Sequence, residues 1–575
     1  YRATADFTGP LNSDKTLLYR FNAAFQEAKS FRDNVNNSGI LISPSVTFIP
    51  NMKTSVNFEM IYSDLHGNLD RGQPIFGAVA GKTNLNSTPR SLNLGAPDDF
   101  FKTKEMIFTT SLAHHFNKNI SFNAAYMKQF WREDLEEHRT TNAFAPDLAN
   151  QPVASLAMMQ FVQRRQNWET DNVNSYFNFK YKTGNADHQT LIGYDAHIWE
   201  KSEGGMQNAA RGFLLKDGTV ANAYNPANAN LYQTFIYNGM VLPKPNVAPF
   251  DLTPGAQNLQ GKESYILNVR TQLPTALTTT HAAYIQHLIS WKKFKLLSGI
   301  RQEWFRDITN FKKDSETSFD NAKLLYRLGI TYSVTDEINL YGTYLTGYQP
   351  QSNTVSLMPN TGNLSAANPA ARFSPLVSDL KEIGMKSRFF KKFSLNLAAY
   401  EINQKNIIIN ANNPAEPDEL TQRGADRSRG FEAEFTGYIL PQWHVYGGYS
   451  YTDAKIVNDS DASLIGSRKE NTSKNSLSFW SRYNFSTVSF LKDFGIGVGL
   501  LYQSSKIPWF TRSFELPAYI TLDAALYYAP AKSRLHAALN LNNLTNTVYW
   551  LGAQNYLRLF PGAPRNFILT LSYKI

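Results

Sequence analysis

The chain has 575 residues, a mass of 65.0 kDa, a formal charge of +10 and no cysteine, so disulfide scaffolds, thiolate metal sites and cysteine nucleophiles are excluded. Aromatic residues make up 13% and charged residues only 18%, against roughly 25% charged in ordinary soluble chains. Lys and Arg are scattered, with no basic run of five, which argues against a nucleic-acid partner. No stretch approaches 18 consecutive apolar residues, so no transmembrane helix is expected. A mean hydropathy of −0.38 suits a soluble protein, but also a transmembrane β-barrel, in which every second residue faces water.

Period-2 segments predict strands from end to end. Ile120, Phe122, Ala124 and Tyr126 alternate with Ser121 and Asn123. Phe431, Ala433, Phe435 and Gly437 alternate with Glu432, Glu434 and Thr436, and Leu535, Ala537, Leu539 and Leu541 with His536, Asn540 and Asn542. Phe567, Leu569, Leu571, Tyr573 and Ile575 share one face of the last segment. The pattern gives 21 strands, beginning near residues 1, 16, 38, 53, 104, 118, 165, 187, 276, 293, 323, 337, 376, 391, 423, 441, 469, 493, 516, 533 and 564. The ambiguous segment 262–273 is assigned to a loop.

The connections alternate in length. Short ones, such as Pro50 to Lys53, Phe116 to Asn119, Lys182 to Asp187 and Leu440 to Gln442, are interleaved with long ones at 65–103, 132–164, 201–275, 347–375, 410–422, 454–468 and 543–563. A soluble sandwich or propeller has no reason to sort loops by parity. A membrane barrel does, with tight turns at one end and long extracellular loops at the other. The last strand then ends at the short-turn, periplasmic side. Single-chain bacterial barrels have even strand numbers, so 21 strands lead us to expect one more before Tyr1. The expected fold is all-β: a 22-stranded antiparallel transmembrane barrel with about 21 strands in this chain. Eight of the ten short turns carry lysine (Lys15, Lys53, Lys118, Lys182, Lys292 with Lys293, Lys391 with Lys392, Lys492 and Lys532); they are ordinary solvated turn residues or contacts to anionic lipid head groups.

Several passages resemble one family in order and spacing. They are Tyr1-Arg2, Thr8-Gly9-Pro10-Leu11, Tyr19-Arg20, Ser43-Pro44-Ser45, Asp70-Arg71-Gly72-Gln73-Pro74 and Leu296-Leu297-Ser298-Gly299-Ile300-Arg301. Further on come Tyr341 to Pro350, Glu382-Ile383-Gly384-Met385-Lys386, Asn540-Leu541-Asn542-Asn543-Leu544, Tyr549, and Pro561-Gly562-Ala563-Pro564-Arg565. Together they resemble the barrel of TonB-dependent outer-membrane receptors, in the branch that takes up ferric siderophores. The resemblance implies a bacterial outer-membrane receptor that captures a ferric siderophore with extracellular loops. Import would be energised by TonB-ExbB-ExbD through an N-terminal plug region. It implies no cofactor, with iron carried only in the ligand, and weakly favours hydroxamate ligands. Residues 1–575 are then expected to be the barrel domain without the plug and the first strand. The family usually ends in Phe; this chain ends in Ile575. An importer of cobalamin, haem or a glycan is the near alternative, and a passive porin-like channel the distant one.

No catalytic constellation emerges, and the chain is not expected to be an enzyme. His114-His115 reads as a hairpin end. His281 and His287, six apart on one face of a strand, are roughly 20 Å apart at 3.3 Å per residue, too far to share a metal. Glu133-Asp134, Glu136-Glu137 and His138 read as a charged, solvated loop. Aromatics at outward strand ends and in long loops form a candidate ligand-binding set: Phe76, Trp131, Tyr232, Phe235, Tyr237, Trp509, Tyr549, Trp550 and Tyr556. Rigid rings give contact area at low entropy cost. The competing reading is the interfacial aromatic girdle or loop packing. Arg71, Arg211 and Arg512 either steer an anionic ligand or are ordinary loop charges.

Overall fold

Side chains alternate across an extended backbone, so a strand with one apolar and one polar face makes a wall between lipid and water. The computed structural model describes every residue except 78–83, 259–260, 352–372, 391, 412, 416, 418, 486–489, 510–511 and 513. Its wall strands begin with β1 (Arg2–Pro10), β2 (Leu17–Lys29), β3 (Asn36–Asn51), β4 (Thr54–Gly67), β5 (Phe100–His115), β6 (Ile120–Pro146) and β7 (Pro152–Thr183). They continue with β8 (Ala186–Lys201), β9 (Ala276–Trp291), β10 (Phe294–Thr309), β11 (Thr317–Ser333), β12 (Ile338–Gln349), β13 (Leu376–Phe389) and β14 (Phe393–Asn410). The last are β15 (Leu420–Leu440), β16 (Trp443–Asn458), β17 (Asn475–Asn484), β18 (Phe494–Gln503), β19 (Tyr519–Tyr528), β20 (Leu535–Asn542) and β21 (Asn566–Tyr573). The count of 21 agrees with the sequence reading.

The strands form one antiparallel meander. Even β8 and β9, with the long segment 202–275 between them, pair in unbroken register from Lys201 opposite Ala276 to Ala186 opposite Trp291. Among the described residues β1 pairs only with β2 and β21 only with β20, so these two are the edges of the sheet. The outward face is apolar and bare: Phe58, Ile300, Leu328, Ile383 and Phe567 are 49–70% exposed. Such a band on the outside of a meander is lipid-facing surface. The inward face carries Glu432 and Glu434, the Arg20–Asp6 pair and Arg482, whose guanidinium lies 3.9 Å from the Tyr527 ring centre.

One stretch expected to be a loop is mostly strand, and a second loop is shorter than expected. Residues 132–164 belong to β6 and β7, of 27 and 32 residues, which rise as one tall hairpin to a connection at 147–151. Likewise β14 runs to Asn410 and β15 starts at Leu420, so the 410–422 loop shrinks. In both places the strands stand above the bilayer, where no lipid face imposes the apolar alternation used to recognise them. The segment 262–273 also contains a strand, Val269–Leu273. It pairs with Gly205–Ala210, which pairs in turn with 161–166 of β7, so it extends the hairpin rather than the wall.

The tightly packed core lies outside the barrel. One buried cluster joins Leu94, Met159, Phe161, Val247 and Leu252; a second joins Ile75, Phe514, Leu516, Trp550 and Leu559; a third joins Leu156, Met158, Phe213, Tyr224, Tyr232 and Leu242. Each mixes the hairpin or its neighbours with the long connections. These connections are therefore a packed cap, not free loops.

Candidate ligand-binding site

The hairpin sets up the site. In β6, even-numbered residues from Phe122 to Phe130 lie on the lipid side with Phe177 and Val173 of β7, so Trp131 faces inward opposite Trp168. Trp199 of β8 lies on the same inward side. Trp131 and Trp168 stack with ring centres 5.5 Å apart at 17°, and Trp199 lies 6.1 Å from Trp168. Three half-buried or buried indoles on adjacent strands make an aromatic ladder on the lumenal wall, its third ring tilted by 43° to the second.

Above the ladder comes a belt of buried charge. Arg164 Nε donates to Glu133 Oε1 (2.6 Å), and Gln166 Nε2 donates to the same oxygen (3.3 Å). Lys201, 1% exposed, donates to Gln166 Oε1 (3.1 Å) and sits 5.3 Å from the Trp199 ring centre. Glu137 accepts a two-pronged pair from Arg71 (2.8 and 2.7 Å) and a third bond from Arg139 (3.3 Å). Burial would by itself raise the Glu137 carboxyl, but Arg71, Arg139 and Arg164 outweigh it and hold the group below the usual carboxylate range. The acidic run is thus a buried ion network and not the expected solvated loop. His138 is part of the same scaffold: Asp99 Oδ1 lies 2.7 Å from Nδ1 and the Tyr265 hydroxyl 3.1 Å from Nε2. Burial, with the Asp99 and Asp98 charges nearby, pushes the Tyr265 phenol up to about 12.

At the top is a cavity of about 320 Å³. Phe144, Met158, Phe213 and Tyr224 give it an apolar wall; Asn150 and Asn222 add amides; Asn413, Pro414 and Ala415 reach it from the β14–β15 connection, eight strands further round. Aromatic surface with a few placed amides is what holds a small ligand.

The sequence-chosen aromatics fall into different places. Trp131 lies on the ladder. Trp550 is 2% exposed, in the cluster with Ile75 and Leu559. Tyr232 is 5% exposed; its hydroxyl donates to the Ala223 carbonyl and accepts from Asn225 N. The Tyr237 hydroxyl bonds Ser155 and Asp251. Phe76 packs against the cluster of Leu94 and Phe161, and Phe235 against that of Tyr232. Tyr549 lies 4.6 Å from the Tyr519 ring, and Tyr556 stacks on Phe514 at 4.8 Å. The backbone of Trp509 is bonded to Ala553. Most of the set is therefore cap packing. The arginines are also committed: Arg71 to Glu137, Arg512 to Glu470 and the Arg468 carbonyl, while Arg211 is 2% exposed. Trp168 and Trp199 lie on expected strands but outside the candidate set, because with 132–164 expected as a loop nothing in the sequence sets Trp168 opposite Trp131. Reading 120–183 as one hairpin about 147–151 places Trp168 directly opposite Trp131.

The Asp70–Pro74 passage is a clasp. Arg32, 3% exposed, holds Asp70, Gln73 and the Arg90 carbonyl. Arg71 grips the hairpin, and Gln73 exchanges backbone bonds with Leu559 (2.8 and 2.9 Å). Gly72 between them has φ +85°, and a Cβ there would lie 2.9 Å from the Leu559 carbonyl oxygen.

A single meander of membrane-crossing strands, with long connections packed together at one end around a ligand-sized cavity, is the architecture of an outer-membrane receptor barrel. Residues 45–544 match the family model described as TonB dependent receptor-like, beta-barrel, and the chain belongs to that family. It is 26% identical to the metal-pseudopaline receptor CntO of Pseudomonas aeruginosa, over all of this chain and 73% of that one. It is 23% identical to the ferrichrome outer membrane transporter/phage receptor of Escherichia coli, over 99% and 72%. Among solved structures, the siderophore receptor PiuA of Acinetobacter baumannii superposes with a TM-score of 0.78 at 18% identity, covering 100% of this chain and 79% of that one. The family places the chain in the outer membrane, and its members are receptors and transporters rather than enzymes.

Proposed function

We propose that this receptor captures a ferric siderophore at its extracellular mouth and passes it inward on energy delivered through TonB. The carrying observation is the inward wall of the β6–β7 hairpin. A ligand-sized aromatic cavity stands at its top and the Trp131–Trp168–Trp199 ladder about ten residues nearer the membrane on the same strands. Indole faces take up flat, delocalised groups, and the buried Lys201 beside the ladder, bonded to an amide rather than a carboxylate, favours an anionic ligand. The ferrichrome relative supports a hydroxamate ligand. The metal-pseudopaline relative supports a second reading, a metallophore complex whose metal need not be iron.

Quenching of intrinsic tryptophan fluorescence by ferrichrome, and by a pseudopaline–metal complex, separates the two readings. Trp131→Ala and Trp168→Ala should each weaken the bound ligand by about 1–3 kcal/mol, roughly 5- to 150-fold. Trp550→Ala should instead act by loosening the cap. Unchanged affinity in both ladder variants would remove the ladder from the binding site.

A further inference from the structure

The sheet brings together two histidines that are far apart in the chain. His188 on β8 and His287 on β9 lie on the outward face, on the side of Ile192 and Ile285 and close to the short turns 184–185 and 292–293. His188 Nδ1 is 3.2 Å from His287 Nε2, within hydrogen-bond reach, and the ring planes are inclined at 25° with centres 5.3 Å apart. The two remaining ring nitrogens are held from behind. Thr183 Oγ1 is 2.6 Å from His188 Nε2 and Thr190 Oγ1 is 2.8 Å from His287 Nδ1. The Tyr181 ring lies flat on His188, 4.8 Å away at 3°.

This geometry has a chemical reading. If each rear N–H donates to its threonine, both facing nitrogens present lone pairs to one point. Without an ion, one ring N–H donates to the facing nitrogen across the 3.2 Å gap; a cation takes the place of that proton when both rear nitrogens carry the N–H. Two nitrogens each about 2.05 Å from a common ion, and 3.2 Å apart, subtend about 100° at it, between the angles of square-planar and tetrahedral coordination. The rear threonines fix tautomer and ring plane, as the outer partners of metal-bound histidines do. Among the described residues no third histidine or carboxylate joins the pair, so water completes the shell, reached from the periplasmic end of the wall.

We infer that His188 and His287 form a two-imidazole site for a first-row divalent transition metal. Cu²⁺ binds best, followed by the other imidazole-preferring ions Ni²⁺ and Zn²⁺. A bound ion would add a clip between β8 and β9, which share their backbone ladder and side-chain bonds such as Tyr194 to His281. The site is separate from ligand capture and does not depend on the siderophore reading.

The test uses the whole protein, without an affinity tag, in detergent. Cu²⁺ titration followed by electron paramagnetic resonance should show one saturable ion with splitting from two imidazole nitrogens. Added Cu²⁺ should raise the unfolding temperature, because an ion that binds only the folded state stabilises it. His188→Asn and His287→Asn should each abolish both effects, and Thr190→Val should weaken binding roughly tenfold or more. His281→Asn should change neither, since His281 pairs with the Tyr194 hydroxyl instead. A heat-modifiable band on gels reports that each variant is folded. No saturable binding to the wild type, or undiminished binding in both histidine variants, would overturn the assignment.

Discussion

At the residue scale, the ion pair of Glu137 with Arg71 carries the most consequence. Glu137 is 3% exposed and its partners come from two segments, Arg139 on its own strand and Arg71 on the 68–99 connection. Removing one partner of a buried ion pair costs about 3–5 kcal/mol. Glu137→Gln should therefore raise amide exchange across residues 68–77 without altering the barrel. The folded carboxyl titrates below its unfolded value. Its stabilisation is thus fully present above the unfolded value, near 4.5, and is lost as pH falls through the folded one. Amide exchange at pH 3 and pH 6 should show the wild-type clasp loosening on acidification, with the Glu137→Gln variant insensitive over that range. Gly72→Ala tests the clasp independently. The left-handed backbone and the 2.9 Å approach of a Cβ to Leu559 leave alanine no unstrained position, at about 1–3 kcal/mol. Residues 68–77 and 556–561 should lose protection together.

At the scale of elements, the wall strands were legible because lipid on one side and water on the other write a period of two into the sequence. Eight of the ten short turns fall where the reading puts them, while the expected turns at 389–392 and 486–492 include residues 391 and 486–489, outside the described residues; Lys15 and Lys292 adopt the left-handed backbone of tight turns, with φ of 54° and 52°. The rule failed where its cause ends. Above the bilayer the β6–β7 hairpin is covered on both faces by cap segments, so Met159 and Phe161 point one way and Leu156 and Met158 the other. Its apolar residues follow no simple alternation. The aromatics of the site were partly legible for the same reason. Trp131 could be picked out by type, but residue type alone does not separate it from Trp550 or Tyr232, which are cap packing. That separation needs the register. The motif passages carried a different kind of information. Asn543, 3% exposed, donates to the carbonyls of Thr547 and Ala563, and Arg565 N bonds Asn546 Oδ1, so these passages shape the last outer connection rather than touch a ligand.

At the scale of the whole molecule, the absence of cysteine makes topology directly testable. Asp217→Cys and Asn150→Cys lie in the outer connections and Asn185→Cys in a short turn. On intact cells a membrane-impermeant maleimide should label the first two and spare the third. The reverse pattern would invert the barrel. The clasp also has a bearing on the order of events during assembly. Gln73 follows the fourth strand, whereas Leu559 lies just before the last. The neighbouring Arg558 bond to Thr140 spans 418 residues. Contacts of that separation are late and slow to form. The roof over the mouth is therefore finished only when the final strand has been laid down, and an intact roof is a signature of a chain inserted to its end.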